Sequence, residues 1–133
     1  MIGLVFVTHG SLATEFRLAL EHVVGPQEDL EPICIGPDDD MEQRRVDILD
    51  AVSAVNRGDG VIIVTDMFGG TPSNLAISVM EPGNIEVMAG MNLPMLIKMA
   101  GLRGSKPLQE VMDKALESGR RYINVASQVL AGQ

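Results

Sequence analysis

The stretch "GLVFVTHGSLATEF" (residues 3–16) changes character at its middle. From Gly3 to Val7 it is a run of small, β-branched and aromatic apolar residues; the run stops at Thr8-His9-Gly10, and from Ser11 onward apolar residues recur at helical spacing. An apolar run that breaks at a glycine and passes into an amphipathic helix is the βα unit of a parallel sheet covered on both faces. The histidine at the junction would then stand at the carboxyl end of a strand, where such sheets gather their ligands and chemistry.

Three further apolar runs repeat the pattern: "LEPICI" (30–35), "GVIIVT" (60–65) and "NIEVMA" (84–89). Between them lie helical segments with their expected punctuation. The first helix is predicted to run from Ser11 as N-cap, with Phe16, Leu20 and Val24 inward, to the stop at Gly25-Pro26. The second follows "GPDDD" (36–40), with Asp39 or Asp40 at the cap, and carries Val46, Leu49, Val52 and Val55 as its apolar face. "FGGTPSNLAISVM" (68–80) gives a Gly-Gly turn, Thr71 as cap, Pro72 at the first helical position and a helix over 71–80. A short helix broken at Gly101, a last helix at 107–118 and a terminal strand at "RRYINVA" (120–126) complete the chain. The class is α/β, a single doubly wound, mainly parallel sheet in the flavodoxin-like order 2-1-3-4, with a fifth strand whose direction the pattern leaves open. Residues 1–133 are expected to form one domain, since a chain of this length buries one core and is too short for two.

Composition narrows the function classes. The net charge of −8 disfavours unspecific binding to nucleic acid or anionic lipid, both of which call for a basic face. No apolar run approaches the ~20 residues of a membrane span, and the N-terminal residues carry no basic leader, so a cytoplasmic protein without direct membrane insertion is expected. Cys34 is the lone cysteine, which rules out an intramolecular disulfide or a cysteine zinc site and reads as a buried, inert thiol. The first lysine is Lys98, no GxxxxGK[ST] or GxGxxG motif occurs, and no G-x-S-x-G elbow is present, so neither ATP nor NAD nor any other cofactor is expected. Asp38-Asp39-Asp40 reads as the charged first turn of a helix rather than a metal site, and no metal is expected. His22, near the helix exit at Gly25, suits a surface position, and Met91, Met95 and Met99 form a core or oligomer-facing stripe.

In the order 2-1-3-4 the ligand crevice lies between strands 1 and 3. The loop after strand 1 holds His9 and Gly10; the loop after strand 3 holds Asp66, Gly69, Gly70 and Thr71. A carboxylate that accepts a hydrogen bond from the imidazole Nδ1–H fixes the tautomer whose Nε2 lone pair is free to attack, and stabilises the cation that results. The Gly69-Gly70 turn opens a helix whose N-terminal amides suit a phosphoryl group, with the Thr71 hydroxyl as a further donor. His9 and Asp66 are therefore the candidate catalytic pair, with Gly10, Gly69, Gly70 and Thr71 as candidate phosphoryl-binding residues.

Three blocks, "VFVTHGSLA" (5–13), "VTDMFGGTPSN" (64–74) and "VMAGMNLPML" (87–96), resemble the mannose-family EIIA component of the bacterial phosphoenolpyruvate-dependent sugar phosphotransferase system. The resemblance implies a phosphocarrier that accepts a phosphoryl group from HPr on the strand-1 histidine, here His9, and passes it to an EIIB component. Asp66 takes the place of the carboxylate partner and Thr71 that of a hydroxyl residue at the phosphoryl site. It also implies a homodimer in which the C-terminal strand adds to the partner's sheet. Phe68 stands where the family often has Trp, and Thr71 where it often has Ser. A second reading is a phosphorylation-state-dependent regulator with no role in sugar transport. A third, a two-component receiver phosphorylated on Asp66, lacks the acidic pair after strand 1 and the lysine after strand 5 that such domains need.

Overall fold

A computed structural model describes residues 1–132. The elements in chain order are β1 (Gly3–His9), α1 (Leu12–Val24), β2 (Leu30–Ile35), α2 (Met41–Val55), β3 (Val61–Thr65), α3 (Thr71–Ser78), β4 (Ile85–Ala89), α4 (Leu93–Leu102), α5 (Leu108–Arg121) and α6 (Ala126–Ala131). The four strands form one sheet in the expected flavodoxin-like order, β2-β1-β3-β4, and every pairing between them is parallel.

Strand alternation divides the core in two. Leu4 and Phe6 of β1, with Ile62 and Val64 of β3, pack against Leu20 of α1, Met95, Leu96 and Met99 of α4, and Val111 and Ala115 of α5. Val5 and Val7, with Ile63 of β3, Ile33 and Ile35 of β2 and Ile85 of β4, pack against Ile48, Val52 and Val55 of α2 and Ala76 of α3. Because β1 and β3 are buried on both sides, neither can carry polar residues before its carboxyl end. Gly3 lets α2 close on the sheet: a Cβ there would lie 2.5 Å from both the Cγ2 and the carbonyl oxygen of Val55.

Several local expectations are corrected. Ser11 makes no side-chain cap; the buried Thr8 hydroxyl instead accepts from the Ala13 amide at 2.7 Å, so α1 is capped from within the strand. On α1, Leu20 is buried and Phe16 partly so, while Val24 is exposed. On α2, Ile48, Ala51, Val52 and Val55 make the buried stripe, at 3- and 4-residue spacing, and Val46 and Leu49 fall outside it and are exposed. Helix α3 ends at Ser78, α4 continues through Gly101 to Leu102, and α5 runs on to Arg121. Cys34 is half-buried, its thiol 3.4 Å from the Thr14 hydroxyl. The Met91, Met95 and Met99 stripe is core rather than an oligomer face.

The terminal strand is also corrected. "RRYINVA" is split between the end of α5, an irregular link at 122–125 and the start of α6, and α6 buries none of its residues. A β-prone segment is stabilised by cross-strand neighbours, and here it has none.

At the amino ends of the strands, Arg103 closes the fold. Its side chain is 2% exposed and donates to the carbonyls of Ile2 (3.2 Å), Asp29 (3.0 Å) and Glu28 and to the Gln27 side-chain oxygen (3.0 Å). Burial pulls its pKa down, and the attraction of Asp29 and Glu28 offsets part of that. Arg103→Met keeps the apolar stem and removes every donor from four buried or half-buried acceptors. It should lower the unfolding free energy by about 3 kcal/mol in urea titration; a change below about 0.5 kcal/mol would show that these bonds are replaceable by water.

Candidate functional site

Strand parity and register deliver the site. Val5, Val7 and His9 alternate onto the side of the sheet covered by α2 and α3, so the His9 side chain emerges where α3 begins. Val7 pairs with Thr65, which leaves His9 and Asp66 just beyond the last paired residues of adjacent strands. Gly10 then turns the chain with φ +53, a left-handed conformation that costs glycine little, and its amide donates to Ile35 O at 2.9 Å.

One carboxylate oxygen holds the histidine twice. Asp66 Oδ2 lies 3.0 Å from the His9 backbone nitrogen and 2.9 Å from its ring Nδ1. Oδ1 accepts from the Met67 amide at 3.0 Å and the Thr65 hydroxyl at 3.3 Å. Partial burial pushes the Asp66 pKa up, but the hydrogen bonds from His9 and Met67 outweigh it and hold the carboxyl below its ordinary value. An ionised carboxylate only accepts, so Nδ1 carries a proton, and in the neutral ring the lone pair is then on Nε2. The Asp66 side chain is 13% exposed and that of His9 50%, which leaves the ring open to solvent while its orienting partner is sheltered.

The ring edge faces Gly70. A Cβ on Gly70 would lie 3.0 Å from both Cε1 and Nε2 of His9, so the absence of a side chain keeps Nε2 clear; backbone freedom is not the reason, since φ is −168. Gly69 does need glycine, with φ +84. The amides of Gly69 and Gly70 donate to the buried Ser73 hydroxyl at 3.1 and 3.4 Å, and that hydroxyl donates back to Gly70 O at 3.1 Å. Ser73 is thus the organiser of the loop. Sequence reasoning passed over it, although a serine three residues into a helix is a familiar capping position.

With Gly69 and Gly70 so engaged, the amides left without an acceptor among the described residues are those of Thr71 and Ser73; Asn74 N donates to Gly70 O, and Pro72 has no N–H. The Thr71 side chain is exposed at the same helix end. Gly10 follows His9 in the chain, and nothing lies within 4 Å of where its Cβ would be. Asp39 accepts from the Gly36 amide at 2.8 Å and Asp40 caps α2 through Glu42 and Gln43, so these two carboxylates have structural partners. Leu12, three residues after His9, and Met67 and Phe68, directly after Asp66, are exposed apolar residues.

Comparison with known proteins agrees with this architecture. A family model described as the PTS system fructose IIA component, EIIA-man, matches residues 3–116. The mannose-specific EIIAB component of Escherichia coli K12 is 31% identical over 124 residues, which cover 92% of this chain and 38% of that protein; the chain thus spans well under half the length of that relative. The sorbose-specific EIIA component of Lacticaseibacillus casei is 31% identical over 98 residues, covering 73% of this chain and 70% of that one. Among solved structures, the phosphotransferase-system EIIA component of Streptococcus agalactiae superposes with a TM-score of 0.86 at 26% identity, covering 96% of this chain and 99% of that one. The chain belongs to the mannose family of EIIA components of the phosphotransferase system.

The depressed Asp66 pKa has a pH signature. A carboxylate held below its unfolded value stabilises the fold above about pH 4 and loses that contribution as pH falls through the folded value. Wild type should therefore exceed Asp66→Asn in unfolding free energy at pH 5, and the gap should narrow as pH falls below about 4. A gap independent of pH over that range would mean that the carboxylate charge does not contribute.

Proposed function

We propose that this EIIA chain is a phosphocarrier that accepts a phosphoryl group from phospho-HPr on His9 and passes it to an EIIB component of a sugar phosphotransferase system. The observation that carries the reading is the 2.9 Å contact between His9 Nδ1 and Asp66, which in the neutral ring puts the lone pair on Nε2, beside an open helix terminus. In the forward step the Nε2 lone pair attacks phosphorus, a new N–P bond forms, and the bond from phosphorus to the donor breaks with its electron pair leaving on the donor. The ring becomes positively charged with its proton still on Nδ1, facing Asp66. Transfer to EIIB reverses these roles, with the acceptor as nucleophile and Nε2 as leaving group.

The phosphoryl oxygens would meet the Thr71 and Ser73 amides, the Thr71 hydroxyl and the positive end of α3. Gly10, Gly69 and Gly70 shape the pocket through their backbone. The step uses no cofactor or metal. The exposed apolar residues Leu12, Met67 and Phe68 suit a protein donor, which must cover a surface rather than fill a cavity. Residues 1–133 act as one EIIA-type domain in the cytoplasm.

Incubation with phosphoenolpyruvate, enzyme I and HPr should add one phosphate, labile in acid and stable in alkali, and His9→Ala should remove it. Asp66→Asn should slow transfer by ~10²-fold and Thr71→Ala by ~10-fold, because a charged partner contributes more than one neutral donor. Gly70→Ala should cost at least ~10-fold by crowding Nε2. Label that survives in His9→Ala, or wild-type rates in Asp66→Asn, would overturn the mechanism. Label that HPr delivers but no EIIB removes would instead support a regulatory protein.

We further propose a homodimer. Among the described residues strand β4 has a strand neighbour on one side only, and beside it Phe68, Val87, Met88, Met112 and Leu116, with Gln109, Asp113 and Arg120, line a groove of about 340 Å³. The chain also carries a tail whose Ile123 and Leu130 are 73% and 76% exposed. The tail of a second copy laid on that edge would cover both. Sedimentation at micromolar concentration should give about twice the 14.3 kDa chain mass, and Val125→Asp with Leu130→Asp should return it to monomer. A wild-type monomer at that concentration would refute the dimer.

A further inference from the structure

The cations of this acidic chain are unevenly partnered. Of its ten Lys and Arg residues, Arg17, Arg44, Arg57 and Lys106 are ion-paired, Arg45 donates to Ser78 and Arg103 is buried among carbonyls. The remaining four, Lys98, Lys114, Arg120 and Arg121, have no ion pair or side-chain hydrogen bond among the described residues. All four belong to α4 and α5, and three of them line one cavity. Lys98, Lys114 and Arg121 enclose about 140 Å³ together with Glu117, Ser118 and Tyr122.

Gathering like charges in a protein that carries a net −8 works against dispersal, so the cluster calls for a counter-ion. Three cations and Glu117 leave the cavity at +2, the complement of a phosphate monoester near neutral pH, whereas a carboxylate would neutralise only half of it. The volume corresponds to four or five waters at ~30 Å³ each, which suits a phosphoryl group with the rest of the ester projecting outward. Arg121 is oriented by its neighbour, with Cζ 5.7 Å from the Tyr122 ring centroid, and its planar fork fits two phosphate oxygens at once. The Ser118 hydroxyl and the Tyr122 phenol are further donors on the same wall.

We propose that this cavity between α4 and α5 binds the phosphoryl group of a small phosphate monoester, at a site separate from His9. It shares no residue with the loops around His9, and Asn92, whose side chain donates to Gly119 O at 2.9 Å, ties the end of α5 to the start of α4 at the carboxyl end of the sheet. Occupancy would therefore report the level of a phosphorylated metabolite to the end of the molecule that carries the phosphoryl site.

The test is a nitrogen-15 NMR titration of the full chain with inorganic phosphate at pH 7.5, with ionic strength held constant by chloride. Saturable shifts at the amides of Lys98 and of Lys114 through Tyr122, with a dissociation constant in the millimolar range, are expected. Lys114→Gln combined with Arg121→Gln, both exposed and replaceable without unfolding, should weaken binding at least tenfold, and Glu117→Gln should tighten it by removing the one opposing charge. Shifts confined to Gly69 through Ser73, equal affinity for acetate, or a double variant that binds like wild type would each overturn the proposal.

Discussion

The parallel pairing of β1 with β3, buried on both faces, is the constraint on which the rest of this structure depends. Such a pair cannot place a polar side chain until its strands leave the core, and parallel strands leave it together at one edge. Val7 opposite Thr65 therefore brings an imidazole and a carboxylate side by side at the sheet's carboxyl end, with no long-range electrostatics needed to assemble them. A register shift of one residue would turn His9 to the other face, away from α3.

The site is built in layers of decreasing exposure. His9 is half open, Asp66 behind it is sheltered, and the Thr65 hydroxyl and Met67 amide hold the second oxygen of Asp66. The carboxylate is fixed on all sides before it meets the ring, so the orientation of the ring follows from the backbone. Ser73 does the same for the Gly69-Gly70 loop by collecting two amides on one hydroxyl, which directs the unengaged donors to Thr71 and Ser73 at the start of α3.

Charge is divided along the fold. At the amino ends of the strands both terminal nitrogens of Arg103 donate to carbonyl oxygens and join the start of β1 to the turn before β2, while the Met1 ammonium meets Asp59 at 2.6 Å. Along α4 and α5, Lys98, Lys114, Arg120 and Arg121 have no ion pair among the described residues. The first arrangement stabilises the fold; the second leaves positive charge available to a ligand.

The sequence by itself determined the βα rhythm and the placing of His9 and Asp66 at strand ends, because apolar runs, glycine breaks and helical spacing are set by near neighbours along the chain. The cap from Asp40 was legible for the same reason. What only the tertiary structure decided is where distant groups meet. His9 and Asp66 are 57 residues apart, and which carboxylate oxygen takes Nδ1 depends on register. The approach of Gly70 to Nε2, the role of Ser73 and the gathering of Lys98, Lys114 and Arg121 depend likewise on how loops and helices pack. The tail at 120–126 marks the limit of local reading: its residues favour a strand, yet a strand exists only against a neighbour, and within one chain that neighbour is missing.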